Sequence, residues 1–261
     1  MLFSWIRTTP LLLLILIVSV NIHAQNKKEY YQLKTYTVQN EMQEQLVDTY
    51  LEKAFLPAIK RYGINRVGVF KLHNDTLVKA DKIYVFIPFS SLLQFEALED
   101  FLLKDKAHLA DGETYLQAAY DKAPYERINS VLMRAFTDMP KMMPVKMEGP
   151  RAKRVYELRS YESPTEVTYK NKVHMFNQGG EVALFNSLGF NAVFYAEVIS
   201  GDAMPNLMYM TTFSNMAKRD ELWKGFFSSD KWTALKEDDY YKNNMKKADI
   251  MLLYPTEYSD Y

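Results

Sequence analysis

Glu157, Arg159 and Tyr161 stand two residues apart in the stretch Val155–Tyr161, V-Y-E-L-R-S-Y. In an extended chain, residues i and i+2 share a face, so a carboxylate, a guanidinium and a phenol line up in one row. One reading is a site for an anion or a carbonyl group, with the phenol as hydrogen-bond donor. The other is an ion pair that holds a strand or an interface between sheets, since perturbed or buried charges are often structural. Leu158 is expected to face covering helices, which would turn Glu157, Arg159 and Tyr161 toward the space enclosed by the sheets. A charge there needs a partner, and for Arg159 the candidates are Glu157 or an acid of the first half. His174 is the lone acid–base candidate, set against a hydrogen-bonded structural histidine. Arg219 has Asp220 and Glu221 beside it, and Trp232 reads as a large core side chain with a satisfied indole N–H.

The row has a counterpart. Tyr30–Tyr36 reads Y-Y-Q-L-K-T-Y, with Tyr31, Leu33 and Tyr36 where the later stretch has Tyr156, Leu158 and Tyr161, and Lys34 where it has Arg159. Both alternate at period two, the pattern of a half-buried strand. After the first, Glu41–Tyr62 carries a broad apolar face of helical spacing, with a kink or a break expected near Ala54 because of Pro57, and Gly63 closing it. Strands are expected at Val67–Phe70 and Ile83–Phe89, a helix after Ser90-Ser91, a helical patch at Tyr115–Tyr120 and a strand at Ile128–Phe136. His108 is expected to lie after a helix. The second set is a strand, a helix over Glu166–Leu188 ending at Gly189, and strands Ala192–Ile199 and Asn206–Phe213. A helix with Leu222, Trp223 and Phe226 behind a Ser214-Asn215 cap follows, then a short turn at Trp232, a strand Ala248–Tyr254 and a polar tail. Gly179-Gly180 reads either as a helix break or as close backbone approach to a ligand.

Each set has the order β-α-β-β-α-β, the ferredoxin-like split unit. The expected organisation is a signal peptide at 1–24, a first unit at 25–136, a linker at 137–153 rich in proline and methionine, and a second unit at 154–261. The fold class is α+β, with two tandem ferredoxin-like units packed sheet to sheet as an eight-stranded barrel. Bulky residues on both parities, as in Ala192-Val193-Phe194-Tyr195, fit strands covered on both faces.

Composition narrows the functions. Lysine plus arginine balance aspartate plus glutamate at 32 each, so there is no electrostatic footprint for nucleic acid. Cysteine is absent, which removes disulfides, zinc-thiolate sites and thiol catalysis. His73, His108 and His174 lack metal-ligand spacing, so no metal site is expected. No P-loop, dinucleotide fingerprint or G-x-S-x-G elbow occurs, and no cofactor is expected. Arg7, the apolar run Leu11–Val20 and Ala24 have the layout of a cleaved secretory signal. Its removal takes away one positive charge and predicts a soluble extracytoplasmic protein, periplasmic or secreted, that meets the membrane only before cleavage. Asn74-Asp75-Thr76 is formally a glycosylation sequon.

Several stretches of the second unit carry a resemblance: Tyr156–Tyr161, Leu188-Gly189-Phe190, Leu207–Phe213, Ala217-Lys218-Arg219 and Ser229-Asp230-Lys231-Trp232. In order and spacing they resemble the landmarks of NIPSNAP domains, a branch of the dimeric α/β-barrel superfamily. The resemblance covers most of Arg154–Tyr254. It marks Glu157, Arg159, Tyr161, Arg219 and Trp232 as family-landmark residues. The first unit departs, with Gln94-Phe95 near the expected arginine and Lys106-Ala107 near the expected tryptophan; in the second, Lys231 replaces a proline. The resemblance implies a fold and a kinship rather than a reaction. Two functions follow as expectations: a module that binds a small apolar ligand or a protein partner, or a cofactor-poor enzyme of the monooxygenase or isomerase kind.

Overall fold

The computed structural model describes residues 27–73, 82–143 and 147–261. The expected signal peptide and the sequon lie outside these. Eight strands close into one antiparallel barrel: β1 (Tyr30–Thr37), β2 (Gly68–Leu72), β3 (Lys82–Phe89), β4 (Arg127–Ala135), β5 (Val155–Glu162), β6 (Asn191–Ser200), β7 (Asn206–Phe213) and β8 (Lys247–Pro255). Around the barrel they run β1-β3-β2-β8-β5-β7-β6-β4, and β4 pairs back onto β1. Each set of four has the ferredoxin-like strand order. The halves also join edge to edge, through β2–β8 (Phe70 opposite Pro255) and β4–β6 (Met133 opposite Val198). The fold is α+β, of the dimeric α/β-barrel type.

Period-two patterning divides the side chains between two sides of the wall. Inward residues from all eight strands form one core, with Tyr31, Phe70, Phe86, Tyr156, Leu158, Phe194 and Met210 among its members. Outward residues meet helices: Tyr36, Val69, Val85 and Ile87 in the first half, and Tyr161, Tyr195, Tyr209 and Phe213 in the second.

The helices differ from expectation where backbone hydrogen bonding intervenes. The first is α1 (Glu41–Tyr50), a π-helical turn at Leu51–Phe55, and α2 (Leu56–Arg61). Pro57 offers no N–H, and the Leu56 N–H reaches back five residues to the Leu51 carbonyl, so the regular helix is interrupted at the expected place by one widened turn. α3 (Leu92–Leu102) starts under a Ser91 cap as the sequence predicts. The patch expected at Tyr115–Tyr120 instead falls earlier, as α4 (Lys106–Asp111) and α5 (Glu113–Leu116). The cause is remote: Asp105 caps α4 through the His108 N–H, while Arg61 grips its carboxylate with two bonds of 2.8 Å. His108 is therefore inside a helix and buried, 3.0 Å from the Tyr50 hydroxyl.

In the second half the expected single helix is two, α6 (Glu166–Phe176) and α7 (Glu181–Ser187). Gly179 sits at the break, where a Cβ would lie 2.8 Å from the Tyr241 hydroxyl. The close approach is to the protein's own chain. α8 (Met216–Phe227) carries the expected Asn215 cap, and Trp232 belongs to a full helix, α9 (Asp230–Glu237), rather than a turn. Among the described residues no helix is long and apolar enough to cross a membrane.

The tail is not a solvated end. Tyr261 is buried in the barrel, its ring against Phe70, Phe86 and Tyr156 and its hydroxyl 3.5 Å from the Met142 sulfur of the linker.

Candidate functional site

Glu157 lies on the outward row of β5 and is fully buried under α8. One carboxylate oxygen accepts from Arg159 Nε at 2.6 Å. The other accepts from Arg219 Nε at 2.7 Å and Trp223 Nε1 at 2.9 Å. The Arg159 guanidinium lies 3.7 Å above the Trp223 ring, and its Nη1 donates to the Tyr161 hydroxyl at 2.8 Å. Tyr161 in turn shares a 2.8 Å bond with the buried Tyr209 hydroxyl. Burial works against the Arg159 charge, but Tyr209, Tyr161 and Glu157 outweigh it, so its pKa is raised.

The structure thus brings together Glu157, Arg159, Tyr161 and Arg219, but on the opposite side of the sheet from the one expected. Leu158 faces the barrel interior and the charged row faces the helices. The buried core on the interior side is an apolar cluster drawn from all eight strands, whereas on the helix side α8 supplies Arg219 and Trp223, which share Glu157 with Arg159. Arg219 also contacts Asp220, at 2.8 Å; Glu221 takes Lys218 instead. His174 stands apart, bonded through Nδ1 to Tyr241 at 2.9 Å and edge-on to Tyr240. Trp232 packs on Phe226 rather than on Glu157.

Trp223 was readable as a partner, since it stands four residues after Arg219 on the same helical face. A second buried pair was also overlooked: Lys172 and Glu181, 3.3 Å apart between α6 and α7. Burial pushes the Glu181 carboxyl up, against the pull of Lys172. The Lys172 ammonium lies 5.0 Å from the Phe176 ring centroid and 6.0 Å from that of Trp232. A lysine three residues after buried Tyr169, in an otherwise apolar row, was the available signal.

The barrel offers a different kind of site. Along β1, β3 and β5 the aromatic residues Tyr31, Phe86 and Tyr156 fill one half of the interior. Next to Leu33, Tyr84 and Leu158 a cavity of about 300 Å³ opens at the other end. Its wall includes Val131, Met208 and Met251. Its polar members are Lys82, Asn129, Ser160, Asp202, Asn206 and Asp249. Asn206, buried, donates from Nδ2 to Ser160 Oγ at 2.7 Å, while its Oδ1 has no partner. These residues come from strands far apart in the chain, and no local motif announces them. No cluster of three or more His, Asp or Glu side chains suited to a metal ion occurs among the described residues.

The row on β5, the arginine of α8 and the tryptophan of α9 lie in one stretch of chain that a known family matches. The NIPSNAP family model matches residues 150–260. The matched stretch holds the whole Glu157 cluster, while the barrel mouth is shared between it and the first half. Among solved structures, a monooxygenase-like protein of Fusobacterium nucleatum superposes with a TM-score of 0.57 at 10% identity, over 88% of this chain and 93% of that one. Another from Lactobacillus acidophilus gives 0.56 at 11%, over 87% and 94%. A NIPSNAP family protein of Agrobacterium tumefaciens gives 0.37 at 17% identity, over 45% of this chain and 98% of its own. At such identities the first two establish the shared barrel fold. No curated protein sequence matches the chain.

Proposed function

We propose that this NIPSNAP-domain protein holds a small, largely apolar molecule in the mouth of its barrel. The carrying observation is the blind cavity of about 300 Å³, open at one end and backed by aromatic residues and Tyr261. Its size is at the lower end of ligand pockets, and its apolar wall with a few polar groups is their usual chemistry. The Glu157 cluster is scaffold in this reading: both carboxylate oxygens and the flanking donors are used within the protein. Native mass spectrometry of gently purified protein is expected to show a retained molecule. Val131→Trp, which lays an indole across the half-buried wall of the mouth, is expected to lose it with an unchanged circular dichroism spectrum. Wild-type protein that carries nothing and takes up no apolar probe would overturn the reading.

The second reading is a cofactor-poor oxygenase. Its support is that the two whole-chain structural neighbours are monooxygenase-like proteins, a fold-level analogy. Oxygen consumption with the retained molecule as substrate would favour it.

The two units in one chain are read as an internal duplication, supported by the shared phrase at Tyr30–Tyr36 and Val155–Tyr161 and by the matching strand orders. Arg7, Leu11–Val20 and Ala24 support export and cleavage. N-terminal sequencing of the protein from its native host is expected to start at or near Gln25. A mature form that keeps Leu11–Val20 would sink the extracytoplasmic assignment.

A further inference from the structure

We infer that the molecule taken by the barrel mouth is a small carboxylate with an apolar body, its anionic end at Lys82 and Tyr84. The inference rests on the pocket reading above and adds the chemistry of the ligand. Lys82 and Tyr84 alternate along β3, so both point inward, with Lys82 at the rim and Tyr84 one pleat deeper. Lys82 is half-buried and makes no ion pair with any described residue. The Tyr84 hydroxyl donates to the Met251 sulfur at 3.5 Å. A thioether is a weak acceptor, so a carboxylate oxygen displaces it at little cost. Burial pushes the Tyr84 phenol up to about 12, which keeps it a donor at neutral pH.

The acids of the rim already have partners. Asp249 holds Lys247 Nζ at 2.6 Å, and Asp202 takes the Asn129 amide at 3.4 Å. Ser160 Oγ takes the Asn206 amide. Two donors are left over inside the mouth, Lys82 and the Tyr84 hydroxyl, beside one unpartnered buried acceptor, Asn206 Oδ1; a charged acceptor gains most from an ammonium and a phenol. The void sets the body. It is about twice the ~150 Å³ that encloses benzene in an apolar cavity, room for two fused rings or an equivalent branched chain. Met208 and Met251 in the wall adapt to either shape.

The test is isothermal titration calorimetry with three probes of one body: naphthalene-2-carboxylate, naphthalene-2-carboxamide and naphthalene-2-methylamine. Wild-type protein is expected to bind the acid about tenfold or more tighter than the amide, the gain of hydrogen bonds to a charged group. Lys82→Met is expected to bring the acid to the level of the amide and leave the amide unchanged, which also reports that the variant is folded. Tyr84→Phe is expected to weaken the acid more than the amide. Val131→Trp is expected to abolish all three. Acid and amide binding equally, both lost in Val131→Trp, would overturn the carboxylate and leave the pocket standing. The amine binding tightest would overturn it too and place Asp202 and Asp249 in command of the mouth. No probe binding at all, or binding untouched by Val131→Trp, would overturn the pocket reading itself.

Discussion

Replacing Glu157 by alanine is expected to lower the unfolding free energy by about 3–5 kcal/mol, the usual cost of removing one partner from a buried charge group. Three donors converge on this carboxylate: Arg159 at 2.6 Å, Arg219 at 2.7 Å and the Trp223 indole at 2.9 Å. Alanine would leave a buried guanidinium stacked on Trp223 with no counter-ion beside it. Glu157→Gln keeps an acceptor oxygen for one donor and removes the charge, so it should fall between wild type and alanine. Urea denaturation of the three proteins gives the comparison. A loss below about 1 kcal/mol for alanine, the range of exposed ion pairs, would mean that water reaches the cluster.

The second large effect contrasts the two halves. Arg159→Ala is expected to destabilise by several kcal/mol, since it leaves Glu157 buried with fewer charge partners and opens a gap beside Trp223. Lys34, at the matching place on β1, is half-buried and lies 5.7 and 5.3 Å from the Tyr36 and Phe55 ring centroids. Gln32 stands where Glu157 would be and donates to Ser130 Oγ. Lys34→Ala should therefore cost about 0.5–1 kcal/mol, the scale of an exposed cation–π contact. Urea midpoints and slopes for the two variants decide it, and equal small losses would refute the contrast.

How much of this was legible in the sequence depended on whether the signal was local. Period-two alternation, the Ser91 and Asn215 caps, and the closing glycines Gly63 and Gly189 report the chain to itself, and the strands and helix starts they imply are present. The side toward which β5 turns its charges was not local. Both of its parities are bulky, with Tyr156 and Leu158 on one and Tyr161 on the other, so hydrophobicity does not orient the strand. What orients it is the distant Arg219–Trp223 pair on α8. The same limit hid α4, whose cap residue Asp105 is held by Arg61, and the inward course of Tyr261. The barrel mouth was the least legible feature, because Lys82, Asn129, Ser160 and Asn206 have no sequence neighbourhood in common.

The seams that close the barrel bear on how the chain reaches its native state. The β2–β8 seam joins distant parts of the chain, and beside it the Val69 N–H bonds the Ser259 hydroxyl 190 residues away. Contacts of that separation come late, because loop closure must precede them. Before they form, each half presents two raw sheet edges, β2 and β4 in one, β6 and β8 in the other. Those edges match the complementary half of any other copy as well as their own. Crowded refolding therefore sets closure within one chain against exchange of halves between two, and dilution favours the monomeric barrel.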